Sequence, residues 1–218
     1  IDTKEIVVLT GMRRVGKTTL LKIIFDSIES QNKVFLDLEN PINQKIFEEV
    51  DFDNIWANLK QFGISTKAKS YIFLDEIGAM PPVTQVVKYL YDHYDVKFFL
   101  TGSSSFYLKN LFPESLAGRK IVFELFPLDF AEFLVFKGFK EHNNFDFDKK
   151  DRQKNKIFYT RVTKLFDEYL KFGGFPQVVL EEDISQKRLA LEDIFKSYFE
   201  KDVISLADFK NINAFRDL

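Results

Sequence analysis

The run Gly11-Met12-Arg13-Arg14-Val15-Gly16-Lys17-Thr18 has the residue types and the spacing of a loop that binds phosphate groups. Its glycines allow successive backbone N–H groups to face inward, and a helix that follows directs the positive end of its dipole at the same point. Lys17 can supply a positive charge to β- and γ-phosphate oxygens, and the hydroxyl of Thr18 is a ligand that suits Mg²⁺. The alternative is a glycine-rich turn without a ligand, but an apolar run before the loop and a helical pattern after it favour phosphate binding.

The whole loop and the residue after it form the expected nucleotide-binding set. Its members are Gly11, Met12, Arg13, Arg14, Val15, Gly16, Lys17, Thr18 and Thr19. Two side chains in the middle, those of Arg13 and Arg14, can contact phosphate or face solvent, and the sequence leaves both options open. Lys17 is expected to be a solvent-facing charge when no phosphate is bound.

A second candidate is the acidic pair Asp75-Glu76, which follows the apolar run Tyr71–Leu74. An aspartate at such a strand end can hold Mg²⁺ beside the loop threonine, and an adjacent glutamate can act as general base for the attacking water. A strand that simply leaves the core through charged residues is the alternative. The pair occurs together with a phosphate loop, and this combination indicates hydrolysis of the bound nucleotide.

Two weaker signals accompany these motifs. The hydroxyl residues Thr101, Ser103 and Ser104 lie in Thr101–Ser104, directly after another apolar run, where one of them could contact the γ-phosphate or the water, although a serine-rich turn is almost as good an explanation. Arg119 precedes the run Ile121–Phe123, where it could donate charge to the phosphate of a neighbouring subunit or be a surface cation.

The elements that position these residues alternate along the chain. Short β-branched or aromatic runs predict strands, and apolar residues at helical spacing between them predict helices, so we expect an α/β fold with a parallel sheet covered on both faces. The predicted strands are 5–10, 33–38, 71–74, 97–100 and 121–123. Asp129 with Glu132 three positions later predicts a capping box at a helix start.

The domain organisation follows from a change of composition. Residues 1–140 are predicted to form the core, residues 141–156 are polar and without periodicity and predict a linker, and residues 157–218 predict a helical lid. The chain begins at Ile1 rather than Met and stops at Leu218 within a helical pattern, so it is expected to be a fragment of a longer protein.

Composition excludes several classes of protein. There is no cysteine among the 218 residues, so no disulfide framework or thiolate metal site is available. A net charge of −2 gives no support to nucleic-acid binding by this segment. No apolar run approaches the roughly 20 residues that span a bilayer and no signal peptide is visible, so no membrane partner and a cytoplasmic location are expected.

Five segments, in order along the chain, resemble those of AAA+-like archaeal and bacterial P-loop ATPases that are related to the STAND NTPases and often carry a C-terminal domain of unknown function. The segments are GMRRVGKTTLL, YIFLDEIG, FFLTGSSS, LAGRKIVFELFPLDFAEFL and GGFPQVV. The resemblance implies an ASCE P-loop NTPase sheet with strand order 5-1-4-3-2. This chain departs from the family pattern at three positions. Gly78 stands where glutamine or histidine is often found, Thr84 where tryptophan is common, and Asp129 where serine is usual.

The same resemblance assigns roles to residues. The loop is the Walker A motif, Asp75 and Glu76 form the Walker B motif, and a hydroxyl in Thr101–Ser104, taken as Ser103, is the sensor. Arg119 is a candidate arginine finger. Gly174 and Pro176 match a lid motif that contacts nucleotide.

Together these observations predict Mg²⁺-dependent binding and hydrolysis of ATP that drives conformational change, with ATP and ADP as ligands. The predicted catalytic residues are Lys17, Glu76, Ser103 and Arg119, and the predicted metal ligands are Thr18 and Asp75. A homo-oligomer through Arg119 and an unknown protein client are the expected partners. A slow nucleotide switch that acts as a regulatory interaction module and a DNA-acting motor or loader are the alternatives.

Overall fold

The computed structural model of the chain describes residues 3–102, 118–139 and 156–198. These residues group into two compact units. The first unit comprises the residues up to Leu125 except Arg13–Val15, and the second comprises Arg13–Val15 and the residues from Phe126 on. Among the helices in these described ranges, none has the length and the hydropathy that a membrane span requires.

The first unit contains a sheet of five strands. They are β1 (Ile6–Gly11), β2 (Lys33–Asp37), β3 (Ser70–Asp75), β4 (Val96–Thr101) and β5 (Lys120–Leu125). Every neighbouring pair is parallel, and the order is β2-β3-β4-β1-β5. The structure confirms both the parallel α/β fold and the strand order that the resemblance implied, so the second and fifth strands of the sequence are the edges.

Helices connect the first four strands. They are α1 (Lys17–Ser27), α2 (Pro41–Gln44), α3 (Phe52–Lys60) and α4 (Val83–His93), with 3₁₀ turns at Lys45–Phe47 and Ile77–Ala79. The side chain of Asn40 caps α2 and that of Asp51 caps α3, each by accepting a backbone N–H bond from the residue two positions later.

Alternate residues of β1 to β4 pack into two cores, one on each face of the sheet. On the face that includes Leu21 of α1, the rings of Phe73 and Phe99 stack at 4.5 Å between centroids and Phe25 meets Phe73 edge-on. β4 lies between β3 and β1 and is buried at every position, including Lys97. The ammonium group of Lys97 donates to the carbonyl oxygen of Thr3, and burial lowers the pKa of this lysine.

The second unit is helical. Its helices are α5 (Phe130–Phe136), α6 (Lys156–Phe172), α7 (Pro176–Leu180) and α8 (Ile184–Tyr198). Asp129 and Glu132 form the predicted capping box, with hydrogen bonds of 2.8 and 2.9 Å between each side chain and the backbone N–H of the other residue. The buried residues Phe133, Phe139 and Val179 pack together, so residues 126–139, which the sequence analysis assigned to the core domain, group here with the C-terminal helices.

A buried cation joins three parts of this second unit. Lys187 of α8 is 3% exposed, and its Nζ donates to the carbonyl oxygen of Val178 at 2.6 Å and lies 3.0 Å from Glu168 of α6. Lys137, directly after α5, lies 2.8 Å from the same carboxylate. Burial raises the pKa of Glu168, but the hydrogen bonds and charges of the two lysines outweigh it and hold the pKa below its ordinary value.

Candidate functional site

The two glycines of the loop, Gly11 and Gly16, are required for different reasons. Gly11 ends β1 with φ 137°, and a β-carbon there would lie 2.1 Å from the carbonyl oxygen of Leu125 in the paired strand β5. Gly16 has φ 103° in open space, so its backbone conformation rather than crowding selects glycine. The sequence places glycine where the chain turns sharply from β1 into α1.

The residue before α1 is Gly16, which has no side chain to cap the helix. No acidic residue lies in the first turn of α1. The backbone N–H groups there and the helix dipole favour an anion, and Thr18 and Thr19 of the first turn are both exposed. The donor set of this helix end therefore fits a phosphate group.

Lys17 differs from the sequence-based expectation. It is only 6% exposed, and its Nζ donates to the carbonyl oxygens of Gly11 at 3.0 Å and Met12 at 2.8 Å. The expected solvent-facing charge is wrong, because the loop curls around the ammonium group and supplies carbonyl acceptors. The lysine is thus held in place by the loop itself.

The middle of the loop belongs to the second unit. Arg14 has a left-handed backbone with φ 64°. Its guanidinium donates to Gln177 of α7 at 3.2 Å and lies 2.5 Å from the carboxylate of Asp193 in α8. Arg14 is therefore ion-paired rather than simply solvated, while phosphate contact by Arg13 or Arg14 stays a prediction.

The acidic pair lies at the carboxyl end of β3. Asp75 is the last residue of the strand and is 7% exposed, and Glu76 follows with φ 54° and ψ 57°, a left-handed conformation that is unusual for a residue with a β-carbon. Only β4 lies between β1 and β3. Because neighbouring strands are about 4.8 Å apart, the loop after β1 and the acidic pair after β3 are separated by roughly 10 Å at the same edge of the sheet.

Thr101 is a site residue to which the sequence analysis gave no separate role. It ends β4, is fully buried, and its Oγ1 accepts the backbone N–H of Glu76 at 2.9 Å while its hydroxyl donates to Asp75 Oδ1. The chosen sensor, Ser103, lies outside the described residues. Leu74 of β3 pairs with Leu100 of β4, so Asp75 and Thr101 are the next pair along the two strands. Thr101 could have been predicted by aligning the ends of the two predicted strands.

The two metal ligands predicted from the sequence fit a Mg²⁺ site that phosphate and water complete. They do not fit a site in which protein side chains supply every ligand. Within the described parts of the chain, no group of three or more histidine, aspartate or glutamate side chains could hold a metal ion. Mg²⁺ is commonly bound through one or two carboxylates together with substrate phosphates and water. One buried aspartate, Asp75, and the exposed hydroxyl of Thr18 fit that pattern.

The structure also shows the positions of three other residues that the sequence analysis predicted to belong to the nucleotide site. Arg119 precedes β5, so it lies at the amino edge of the parallel sheet, opposite to the carboxyl edge that carries Asp75, and its Nε is 3.1 Å from Asp92 of α4. Gly174 and Pro176 belong to the second unit, where Pro176 is the first residue of α7. Nucleotide contact by any of the three stays a prediction.

Comparison with known families agrees with this architecture. Residues 3–134 match the AAA domain family, and residues 163–218 match a Domain of unknown function (DUF8612). The chain belongs to the AAA domain family and is an AAA+-like P-loop module of the nucleotide-binding, ATPase-like class.

Two curated relatives resemble the chain over nearly all of its length. An uncharacterized protein of Methanocaldococcus jannaschii, MJ1544, is 29% identical over 214 residues, which are 98% of this chain and 45% of the relative. An uncharacterized protein of Haemophilus influenzae is 29% identical over 222 residues, which are 100% of this chain and 50% of the relative. The chain therefore spans about half the length of these relatives.

Solved structures show weaker similarity. The Aeropyrum pernix ORC1 protein in complex with DNA is 14% identical with a TM-score of 0.47, over 62% of this chain and 43% of that one. Caenorhabditis elegans PCH-2 is 16% identical with a TM-score of 0.42, over 62% of this chain and 38% of that one.

Proposed function

We propose that this chain binds ATP together with Mg²⁺ at the loop Gly11–Thr18 and hydrolyses it to ADP and phosphate. The observation that carries the proposal is that the buried Asp75 and the adjacent Glu76 lie at the same edge of the sheet as the loop, with one strand, β4, between them. A loop alone would support binding, whereas the added carboxylates support hydrolysis.

Each residue has a distinct task in this proposal. The N–H groups of the loop and of the first turn of α1 bind the phosphates, and Lys17 exchanges its bonds to the loop carbonyls for bonds to phosphate oxygens. Thr18 and Asp75 hold Mg²⁺, which when bound neutralises charge on the phosphates and orients them. Glu76 accepts a proton from the attacking water.

We further infer that turnover drives a conformational change in the C-terminal helices. Arg14 supports this step, because it lies inside the phosphate loop in sequence and yet pairs with Asp193 of α8. A rearrangement of the loop around phosphate would act directly on that ion pair.

The test is the rate of phosphate release from Mg·ATP by the purified chain and by Glu76→Gln. The variant should bind Mg·ATP normally and lose turnover by about 10²-fold or more, the scale of a lost general base. Glu49→Gln, which removes an exposed carboxylate of the same unit, is the matched control and should turn over ATP at the wild-type rate. Equal rates in wild type and Glu76→Gln would place the base elsewhere, and negligible turnover by the wild type would favour the slow nucleotide switch.

A further inference from the structure

A single hydroxyl group connects the two carboxylate residues of the site. Thr101 Oγ1 accepts the backbone N–H of Glu76 at 2.9 Å, and the same hydroxyl donates its proton to Oδ1 of Asp75. Thr101 is 0% exposed, so water does not compete for these bonds. The side chain must be both donor and acceptor to make these two bonds. A serine hydroxyl can do this as a threonine hydroxyl does, whereas the valine side chain cannot.

The bond to Glu76 supports an unusual backbone. Glu76 and Arg14 are the two residues other than glycine with positive φ in the described parts of the chain. A left-handed residue with a β-carbon is disfavoured and persists only where its surroundings fix it. The direction in which the Glu76 side chain leaves the backbone depends on this conformation, and the amide that Thr101 holds is that of Glu76 itself.

We propose that Thr101 is a positioning residue for hydrolysis: its hydroxyl fixes the left-handed backbone of Glu76, and hence the direction of the catalytic carboxylate, and fixes the orientation of the Asp75 carboxylate that holds Mg²⁺. This inference rests on the proposed function. Thr101 acts through Asp75 and Glu76 rather than on the nucleotide.

The role differs from that of a phosphate sensor, which the sequence analysis assigned to a hydroxyl in Thr101–Ser104. A sensor must donate a hydrogen bond to the γ-phosphate or to the water. A hydroxyl has one proton, and that of Thr101 is donated to Asp75. Thr101 therefore has no proton for phosphate, and its effect on ATP affinity should be small.

The test compares Thr101→Val, which keeps the shape and removes the hydroxyl, with Thr101→Ser, which keeps the hydroxyl. Thr10→Val is the matched control, because Thr10, the residue before the last of β1, is 1% exposed and its hydroxyl makes no hydrogen bond within the described structure. The first readout needs no nucleotide: hydrogen exchange of the Glu76 amide, followed by NMR. We expect this amide to be protected in wild type, Thr101→Ser and Thr10→Val, and to exchange at least about tenfold faster in Thr101→Val.

The second readout separates turnover from binding. Thr101→Val should lower kcat by about tenfold or more, with the Kd for Mg·ATP changed less than about threefold, and Thr101→Ser should restore most of kcat. An unprotected Glu76 amide in wild type would overturn the proposal even if Thr101→Val fails to fold, and so would wild-type kcat in Thr101→Val. Weaker binding of ATP but not ADP in Thr101→Val would make Thr101 a sensor and would also overturn it.

These outcomes are distinguishable from failure of the proposed function. If the wild type does not hydrolyse ATP, the proposed function is overturned. The exchange of the Glu76 amide would still decide whether Thr101 fixes that backbone.

Discussion

The carbonyl oxygen of Leu128 lies 1.9 Å from the point that a β-carbon on residue 174 would occupy, and the backbone N–H of Leu128 donates to the carbonyl oxygen of Gly174 at 2.8 Å. The two backbones are in direct contact, with no room for a side chain. Pro176 follows as the first residue of α7, a position where proline is favoured because its missing N–H has no partner to lose. The close approach of the backbones thus accounts for Gly174, and the first position of α7 accounts for Pro176, without any ligand.

Gly174→Ala should therefore lower the free energy of unfolding by about 1–3 kcal/mol, the usual cost of overpacking, because the Leu128 backbone must move. Gly173→Asn is the control. Residue 173 has φ 71° and open space around it, and asparagine tolerates that conformation. Urea unfolding of both variants checks the prediction, and equal stability of the two would contradict the close approach.

Removal of the Lys17 amine should have two effects. Lys17→Ala is expected to weaken Mg·ATP binding by about 10- to 100-fold, the scale of lost hydrogen bonds to a charged group. Because the carbonyls of Gly11 and Met12 lose their buried donor, the free energy of unfolding should also fall by about 1–3 kcal/mol. Calorimetry and urea unfolding measure the two effects. Lys22→Ala, an exposed lysine of the same helix, is the control, and unchanged nucleotide affinity in Lys17→Ala would refute the phosphate-loop assignment.

Asp75→Asn should act on the metal rather than on the base. An amide oxygen can still accept the bond from Thr101 but lacks the charge that holds Mg²⁺, so half-maximal ATP turnover should require at least about tenfold more Mg²⁺. Asp37→Asn is a matched control, because Asp37 ends the neighbouring strand β2 in register with Asp75 and is exposed. A Mg²⁺ titration that is the same in both variants would exclude Asp75 as a metal ligand.

The phenol of Tyr94 should lose its proton at a higher pH than an ordinary tyrosine. Burial and a 2.7 Å hydrogen bond to Asp53 raise the pKa of Tyr94 to about 12. Since the folded pKa lies above the unfolded value of about 10, the stabilising contribution is complete below pH 10 and is lost as the pH rises toward 12. Absorbance of the phenolate should show a step near pH 12 that Tyr94→Phe removes and that Asp53→Asn moves to lower pH. A step that remains unchanged in both variants would contradict the assignment.

Arg119 remains a candidate arginine finger only for another copy of the chain, since it lies at the amino edge of its own sheet. Arg119→Ala and Glu76→Gln should each lose turnover, and a mixture of the two should recover part of it, because a mixed assembly can pair an intact Glu76 with a neighbour's intact Arg119. Turnover per subunit should also rise with protein concentration.

Asp92→Asn separates this role from a structural one. It disrupts the ion pair with Arg119 and keeps the guanidinium; an exposed pair of this kind contributes less than about 1 kcal/mol. If Asp92→Asn loses as much turnover as Arg119→Ala and the mixture shows no recovery, Arg119 is a structural residue.

Local patterns were sufficient to predict the strands and the parallel sheet, whereas the strand order was implied by the family resemblance. The apolar runs predicted all five strands to within one residue at each end except at β5, which is longer than its three predicted residues, and the spacing of Asp129 and Glu132 predicted their capping box. The burial of Lys17 and the role of Thr101 could not be read in the same way. Both depend on tertiary geometry. Lys17 is buried because the loop curls around it, and Thr101 has its role because it contacts Asp75, which lies 26 positions away in sequence.

The position of β4 in the sheet constrains the order in which the strands of this protein can pair during synthesis. β1 and β3 leave the ribosome early but are not neighbours, because β4, which ends only at Thr101, must enter between them. Until it does, the nascent chain carries two strands without their common partner and the carboxylates have no fixed place beside the loop. A nascent chain of this kind depends on pairing between strands distant in sequence, which is slow and leaves edges open to aggregation. Nucleotide bound during synthesis can therefore stabilise the domain only after this central strand has been made.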